Sequence, residues 1–325
     1  MTLKRVLVAA AGLSMCWSAA NAYEFSPYQQ QSGILIGASA GVPPEGIYMF
    51  NQFFTYQAKL VGPVTNAIGN NTGVQAAVDV QGFLFVPGWT FLGATYDAVL
   101  ATPFTMQSLG SPVNTQAAGM HNTYIAPIEL SWKLADTGFR IKTGFGMFVP
   151  DGTVTGPGGT GNVGAPYWTL QPEVIVSYLK DGWNLSAAVY AEFNTANSIT
   201  GYTTGDILHA DFTATKTIGK WTFGPVTYYT GQVSNDKSSA YYGNLIQNAN
   251  RYDLWAVGGL VGYNFGAAFF SVWATQEVSA RASGASFGGV DVSGVSKGFT
   301  ALATLSYRLW APDETPAPKN PLFHK

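Results

Sequence analysis

Cysteine is almost absent from this chain, with one in 325 residues, at Cys16, and histidine occurs only three times. That excludes a disulfide framework and any metal site built on thiolates. Charge is nearly as scarce. Asp, Glu, Lys and Arg together make up 10% of the residues, against roughly 25% in an average soluble domain. The balance is slightly acidic, 18 acidic against 16 basic residues, so nothing draws the chain to the phosphates of a nucleic acid. Long apolar runs are missing too. After residue 22 no stretch of about 18 apolar residues occurs, which excludes a helical membrane protein. Yet 47% of the residues are hydrophobic and 14% aromatic, too many for a disordered chain. What is left is a β-rich protein whose hydrophobicity is spread along alternating positions, as in a membrane barrel.

The N-terminus reads as a secretory leader. Lys4 and Arg5 are its positive start, Val6 to Met15 its apolar core, and Ala20-Asn21-Ala22 its cleavage site, so the mature chain is expected to begin at Tyr23. Met15 directly before Cys16 fits a lipoprotein signal poorly. The stretch from Tyr23 to residue 45, with its Gln29-Gln30-Gln31 run, either hangs in the periplasm or folds into a lumen as a plug. Residues 311–325 hold four prolines and read as a disordered periplasmic tail.

From residue 46 to 310 the pattern has period two, the signature of strands. Twelve segments alternate: 47–60, 74–86, 89–101, 122–134, 139–149, 167–179, 183–194, 206–218, 221–232, 251–264, 267–281 and 297–310. Polar side chains on one face and apolar ones on the other are the lumen and lipid faces of a barrel. On that rule Tyr48, Phe50, Phe54, Tyr56, Val78, Ile128 and Val189 meet lipid, while Gln81, Ser131 and Ser186 meet the lumen. Tyr124 and Ala126 join Ile128 on the lipid face. The facing of 221–232 and 251–264 is not legible. Connections alternate short and long, as periplasmic turns and outer loops do. Lys180-Asp181-Gly182-Trp183 and Gly219-Lys220-Trp221 hand each turn to an indole, which favours the headgroup level. A soluble sandwich or lipocalin also alternates, but it would not cluster Trp at turn ends behind a leader. The fold class is therefore all-β: an antiparallel transmembrane β-barrel of the outer-membrane type.

Two motifs invite chemistry. Gly159-Thr160-Gly161-Asn162-Val163-Gly164 matches G-x-G-x-x-G, but a strand follows it where a dinucleotide site needs a helix, so a mobile outer loop is expected. His209-Ala210-Asp211 sets an imidazole and a carboxylate on one strand face, without an adjacent serine to act as nucleophile. A cross-strand partner is left open there. No catalytic residue, metal or cofactor follows from the sequence.

Asn162 to Trp168, Asp181-Gly182-Trp183-Asn184-Leu185, Phe193-Asn194-Thr195, Asp211 to Lys216 and Gly219 to Val226 together resemble the outer-membrane proteins of the meta-pathway of phenol degradation. The resemblance extends over roughly residues 46–310. It implies an outer-membrane barrel that admits small aromatic or otherwise hydrophobic compounds, with no catalytic residues to carry over. One departure is the terminal aromatic, here Trp310, which is followed by fifteen more residues.

The function expected is passive uptake, with a structural or adhesive barrel of closed lumen as the alternative. Its surroundings would be lipid and lipopolysaccharide of a Gram-negative outer membrane, reached through the barrel-assembly machinery. The pore-lining candidates are Asp79, Asp97, Glu129, Lys133, Arg140, Lys142, Glu173, Glu192, His209, Asp211 and Arg308. Asp79, Asp97, Glu129, Glu173 and Asp211 fall at mid-strand, whereas Lys133, Arg140, Lys142 and Arg308 lie near the periplasmic ends. An acidic waist above a basic inner mouth follows, which either selects mildly for cations or is neutralised in a structural network.

Overall fold

A computed structural model describes residues 29–157 and 161–312; the leader, the proline-rich tail with His324, and part of the glycine motif lie outside them. Twelve long strands form the wall: β1 (Gly46–Val61), β2 (Gly73–Val86), β3 (Ala94–Leu109), β4 (Thr123–Lys133), β5 (Phe139–Val149) and β6 (Thr169–Lys180), then β7 (Trp183–Asn194), β8 (Ile207–Ile218), β9 (Trp221–Gln232), β10 (Arg251–Asn264), β11 (Ala268–Ser283) and β12 (Val295–Trp310). Each pairs antiparallel with its sequence neighbours, and β12 returns to β1 from Ile47 opposite Trp310 to Val61 opposite Val295. Closure leaves no edge strand, the condition for spanning lipid with strands. Both ends of the barrel chain lie on the side of the short turns. Two of these turns, Asp181-Gly182 and Gly219-Lys220, have only two residues; in the first, φ is +53° and +75°, as a two-residue hairpin turn requires.

The third strand runs from 94 to 109 rather than from 89 to 101. Residues 87–93 are used by the turn, and beyond Ala101 the alternation continues past Pro103. Pairing of β3 with β4 stops at Ala101–Tyr124, and a short strand, Thr115–Met120, takes over at Phe104–Met120. Pro103 sits in that gap, where a missing N–H breaks no ladder.

In a hollow barrel the shielded positions point inward. Along β6, Thr169, Gln171, Glu173, Ile175 and Ser177 are buried, and Leu170, Val174 and Val176 face outward. Ile128 and Val189 also face outward, while Ser131 and Ser186 face in. Tyr124 and Ala126 face the lumen, because a register shift between Ile125 and Ile128, around Pro127, reverses the phase of β4 halfway along.

β1 and β2 overturn the polar-inward rule. Phe54, Tyr56, Leu60, Val74 and Val80 are buried in the lumen, and Phe50 and Val78 also line it. Asp79 and Gln81 are exposed on the outer wall, in register with Phe53 and Asn51. The reason is the filling of the lumen. The inward faces of β1 and β2 pack with Ile36, Trp273, Leu260 and Leu302 in one apolar cluster. Lipid would remove these side chains from water equally well, so the inward phase is favoured by close packing in that cluster and by the Tyr56 hydroxyl's bond to Glu277.

Candidate functional site

The lumen is partly filled by residues 29–45, so of the two placements open to this segment the plug is the observed one. Its backbone is held by side chains of the wall. Gln30 N donates to Glu192 Oε1 (3.1 Å) and Leu35 N to Asp211 Oδ2 (2.9 Å). Gly37 N donates to Thr213 Oγ1 and Ala40 N to Ser177 Oγ, both at 2.8 Å. Lower down, Ser131 Oγ donates to the Ala40 carbonyl. Gly33 bends the segment against the wall with φ at +81°, and a Cβ there would come within 2.8 Å of Tyr228. A segment without internal strands thus has its N–H groups satisfied in part by the barrel and in part by its own turns, where Ile34, Ile36 and Ala38 donate to the carbonyls of Gln31, Gly33 and Leu35.

Beside the plug a cavity of about 500 Å³ remains. Its two walls differ in kind. Phe54, Val74, Val78, Val80, Leu84 and Val99 of β1–β3 give an apolar lane. Facing it are Gln29, Gln30 and Ser32 of the plug, with Tyr124, Gln171 and Glu173. Gln29 Nε2 and Gln171 Oε1, both buried, have no hydrogen-bond partner among the described residues. At the end away from the short turns, Asn122 holds residues 161–168, donating to the Ala165 carbonyl (2.9 Å) and accepting from Ala165 N (3.1 Å). Asn162, itself buried, accepts from Thr155 N at 2.7 Å. This part of the glycine motif is a packed cap rather than a mobile loop.

The candidate pore residues fall into four groups. Lys142 Nζ bonds both oxygens of Asp97 (2.9 and 3.0 Å) and Glu129 Oε2 (2.6 Å), and Glu173 is buried on the same cavity wall. Glu192, His209 and Asp211 hold the plug. Arg140 and Arg308 stand at the short-turn end, Arg308 donating to the Glu45 carbonyl at 2.6 Å. Two are not in the lumen: Asp79 is outside, and Lys133 is exposed in the turn, paired with Asp136 at 2.8 Å. Lys133 lies at the last position of β4, where the chain has left the barrel and nearby Asp136 is the closer counter-charge.

His209 does have a cross-strand hydroxyl. Thr230 Oγ1 lies 3.1 Å from Nδ1 and Glu192 Oε1 lies 2.8 Å from Nε2, and Thr230 donates to Ser32 Oγ at 2.7 Å. Tyr190 stacks on the imidazole at 4.6 Å between centroids. A hydroxyl, an imidazole and a carboxylate in line have the order of a nucleophilic triad. Here, however, His209 and Thr230 are both 0% exposed, covered by the plug, and neither borders the cavity. The chain of bonds serves to hold Ser32 and Gln30. Among the described residues no group of three His, Cys, Asp or Glu side chains could hold a metal ion.

Glu277 escaped the sequence reading. It accepts from Tyr56 OH (2.9 Å), Tyr228 OH (3.1 Å) and Gly298 N (2.7 Å), which ties β1, β9 and β12 together across the lumen. The signal was present: Glu277 shares an alternate-residue face with Trp273 and Thr275. The apolar lane carried no such signal, since alternation reveals two faces and not which is inside.

Residues 55–290 match the family described as "Putative MetA-pathway of phenol degradation". Among solved structures, an outer membrane channel of Pseudomonas putida F1 aligns with a TM-score of 0.69 at 11% identity, covering 83% of this chain and 98% of that one. The β domain of the Bordetella autotransporter BrkA aligns at 0.46 and 12% identity, over 81% and 100% of the two chains. Comparison with curated proteins gives no match.

Proposed function

The chain belongs to that phenol-degradation family of outer-membrane barrels, and we propose that it is a passive uptake channel for small aromatic or hydrophobic solutes, not an enzyme. The observation that carries this reading is the apolar lane inside the lumen, since the interior of a water-filled porin is polar. An aromatic ring slides along Val78, Val80 and Leu84, opposite the polar side chains of Gln29, Gln171 and Glu173 that line the same cavity. The pore-lining roles of Glu129, Lys142 and Glu173 belong to the same proposal. So do cleavage of a leader near Ala22, insertion by the barrel-assembly machinery, and residence among lipid and lipopolysaccharide in a Gram-negative outer membrane.

The plug supports a second reading, a structural or adhesive barrel with a closed lumen, because its backbone is bonded along the wall at Glu192, Asp211, Thr213 and Ser177. Bi-ionic reversal potentials in planar bilayers separate the two. Benzyltrimethylammonium on one side and tetraethylammonium on the other compare an aromatic with an aliphatic cation, neither of which crosses lipid readily. Preference for the aromatic ion, lost in Val78→Gln/Leu84→Gln, is expected. Equal permeability would remove the lane from the pathway, and a barrel without conductance would leave the closed-lumen reading.

A further inference from the structure

The outer wall is apolar where it meets lipid, as at Ile128, Val174, Val189 and Val257, which are 52%, 45%, 42% and 44% exposed. One sector departs from this. Asn51, Thr55 and Gln57 on β1 and Gln75, Asp79 and Gln81 on β2 lie at alternate positions on the outward face. The register brings them together: Gln57 opposite Gln75, Asn51 opposite Gln81, Thr55 opposite Ala77 and Phe53 opposite Asp79. Asp79 is also opposite Phe104 of β3, and the outward row continues below it through the exposed Phe83 and Phe85. The carboxylate therefore lies within the hydrocarbon-facing belt, not above it. None of the six side chains has a hydrogen bond or ion pair within the described residues.

Lipid tails offer no donor or acceptor, and polar groups at this depth are costly unless another surface satisfies them. We propose that this sector is the contact face for a second copy of the same chain. The chemistry of the patch is self-complementary. Closed dimers have two-fold symmetry, which places one surface against itself. With the axis along the barrel axis at the β1–β2 seam, β1 of one copy faces β2 of the other. The donors Asn51, Thr55 and Gln57 then meet the Asp79 carboxylate and the two-way amides of Gln75 and Gln81. Ala77 on one side of β1 and Ala301 and Ala303 of β12 on the other leave low ground around the exposed Phe53, into which the same ring of the second barrel can settle.

The test uses the full chain in the outer membrane, in a Cys16→Ser background that leaves no other thiol. Asn51→Cys or Gln75→Cys, treated with a short bismaleimide, is expected to give a band of twice the protomer mass. Co-expressed tagged and untagged copies should then yield the mixed band. Val174→Cys and Val189→Cys, on the apolar wall, should stay single. A band of any other mass, or equal cross-linking from the apolar wall, overturns the proposal. As a second measurement, the Gln57→Leu/Gln75→Leu/Asp79→Leu/Gln81→Leu variant, shown to be folded by its heat-modifiable gel mobility, should sediment in mild detergent as a single protomer while the unaltered protein sediments as two. The same mass for both also overturns it.

Discussion

Replacing Lys142 by Met tests whether the lumenal charges are a structural network. The side chain is nearly isosteric, so the packing change is small, and what is removed is one ammonium with three short bonds, at 2.9 and 3.0 Å to Asp97 and 2.6 Å to Glu129. The three side chains are 9%, 0% and 8% exposed. Asp97 and Glu129 are direct cross-strand partners, so the variant leaves two carboxylates side by side without a counter-charge. Removing one member of a buried pair costs about 3–5 kcal/mol, because the partner stays buried and uncompensated. Glu129 and Lys142 border the cavity, where water relaxes part of the exposed charge, which places the expected loss at the lower end, about 3 kcal/mol. Urea unfolding of the barrel, followed by tryptophan fluorescence and heat-modifiable gel mobility, reads it. Adding Glu129→Gln to Lys142→Met should recover part of the loss, with a coupling of about 1–3 kcal/mol between the two sites. A Lys142→Met barrel within about 0.5 kcal/mol of the parent, the usual effect of a surface change, would refute the buried network and leave three independently hydrated charges.

Glu173 borders the cavity and Asp79 does not, so Glu173→Gln should lower the cation preference measured by reversal potential across a salt gradient, whereas Asp79→Asn should leave it unchanged. The Glu173→Gln difference should shrink at high salt, where screening shortens the reach of the lumenal charge. Arg on the lipid face at Val174 or Val189 should cost roughly 2–4 kcal/mol of folding free energy, measured by the same urea titration, while Val78→Arg, which faces the cavity, should cost less; equal losses would contradict the phase assigned to β2.

The strands and turns were legible because lipid imposes a severe condition on sequence: every second residue of a spanning strand must be apolar, and every tight turn must tolerate a positive φ. Nine of the twelve strands followed from that condition with their facing right or left open. β4 did so only in part, since Pro127 inserts a bulge whose effect on phase is invisible until the register is known. The position of the plug was not legible. Its polar Gln29-Gln30-Gln31 run left a periplasmic segment and a lumenal plug equally open, and only the wall residues that receive its N–H groups give it a path. The His209 cluster shows the same limit. Glu192, His209 and Thr230 are far apart in sequence and meet because β7, β8 and β9 pair in one register.

The failure at β1 and β2 is of a different kind. A slip of one residue sends every side chain of a strand to the opposite face, and a slipped pair would have placed Asn51, Gln57, Asp79 and Gln81 in water and Phe54, Tyr56 and Val78 in lipid. The chain does not take that arrangement. Phe54, Leu60 and Val74 find Trp273 and Leu302 inside, and Tyr56 gives its hydroxyl to Glu277, a carboxylate that the slipped register would leave with one partner fewer. Interior packing thus holds the register, and the polar groups it drives outward need satisfaction elsewhere. The apolar lane and the polar outer sector are the two sides of one choice of phase. A lumen that offers apolar surface to a solute is bounded here by a wall that offers polar surface to a neighbour. Altering the lane alone, as in Val78→Gln/Leu84→Gln, leaves that outer chemistry intact, so permeation can fail while the dimer contact persists; altering Gln75 and Asp79 alone should do the reverse.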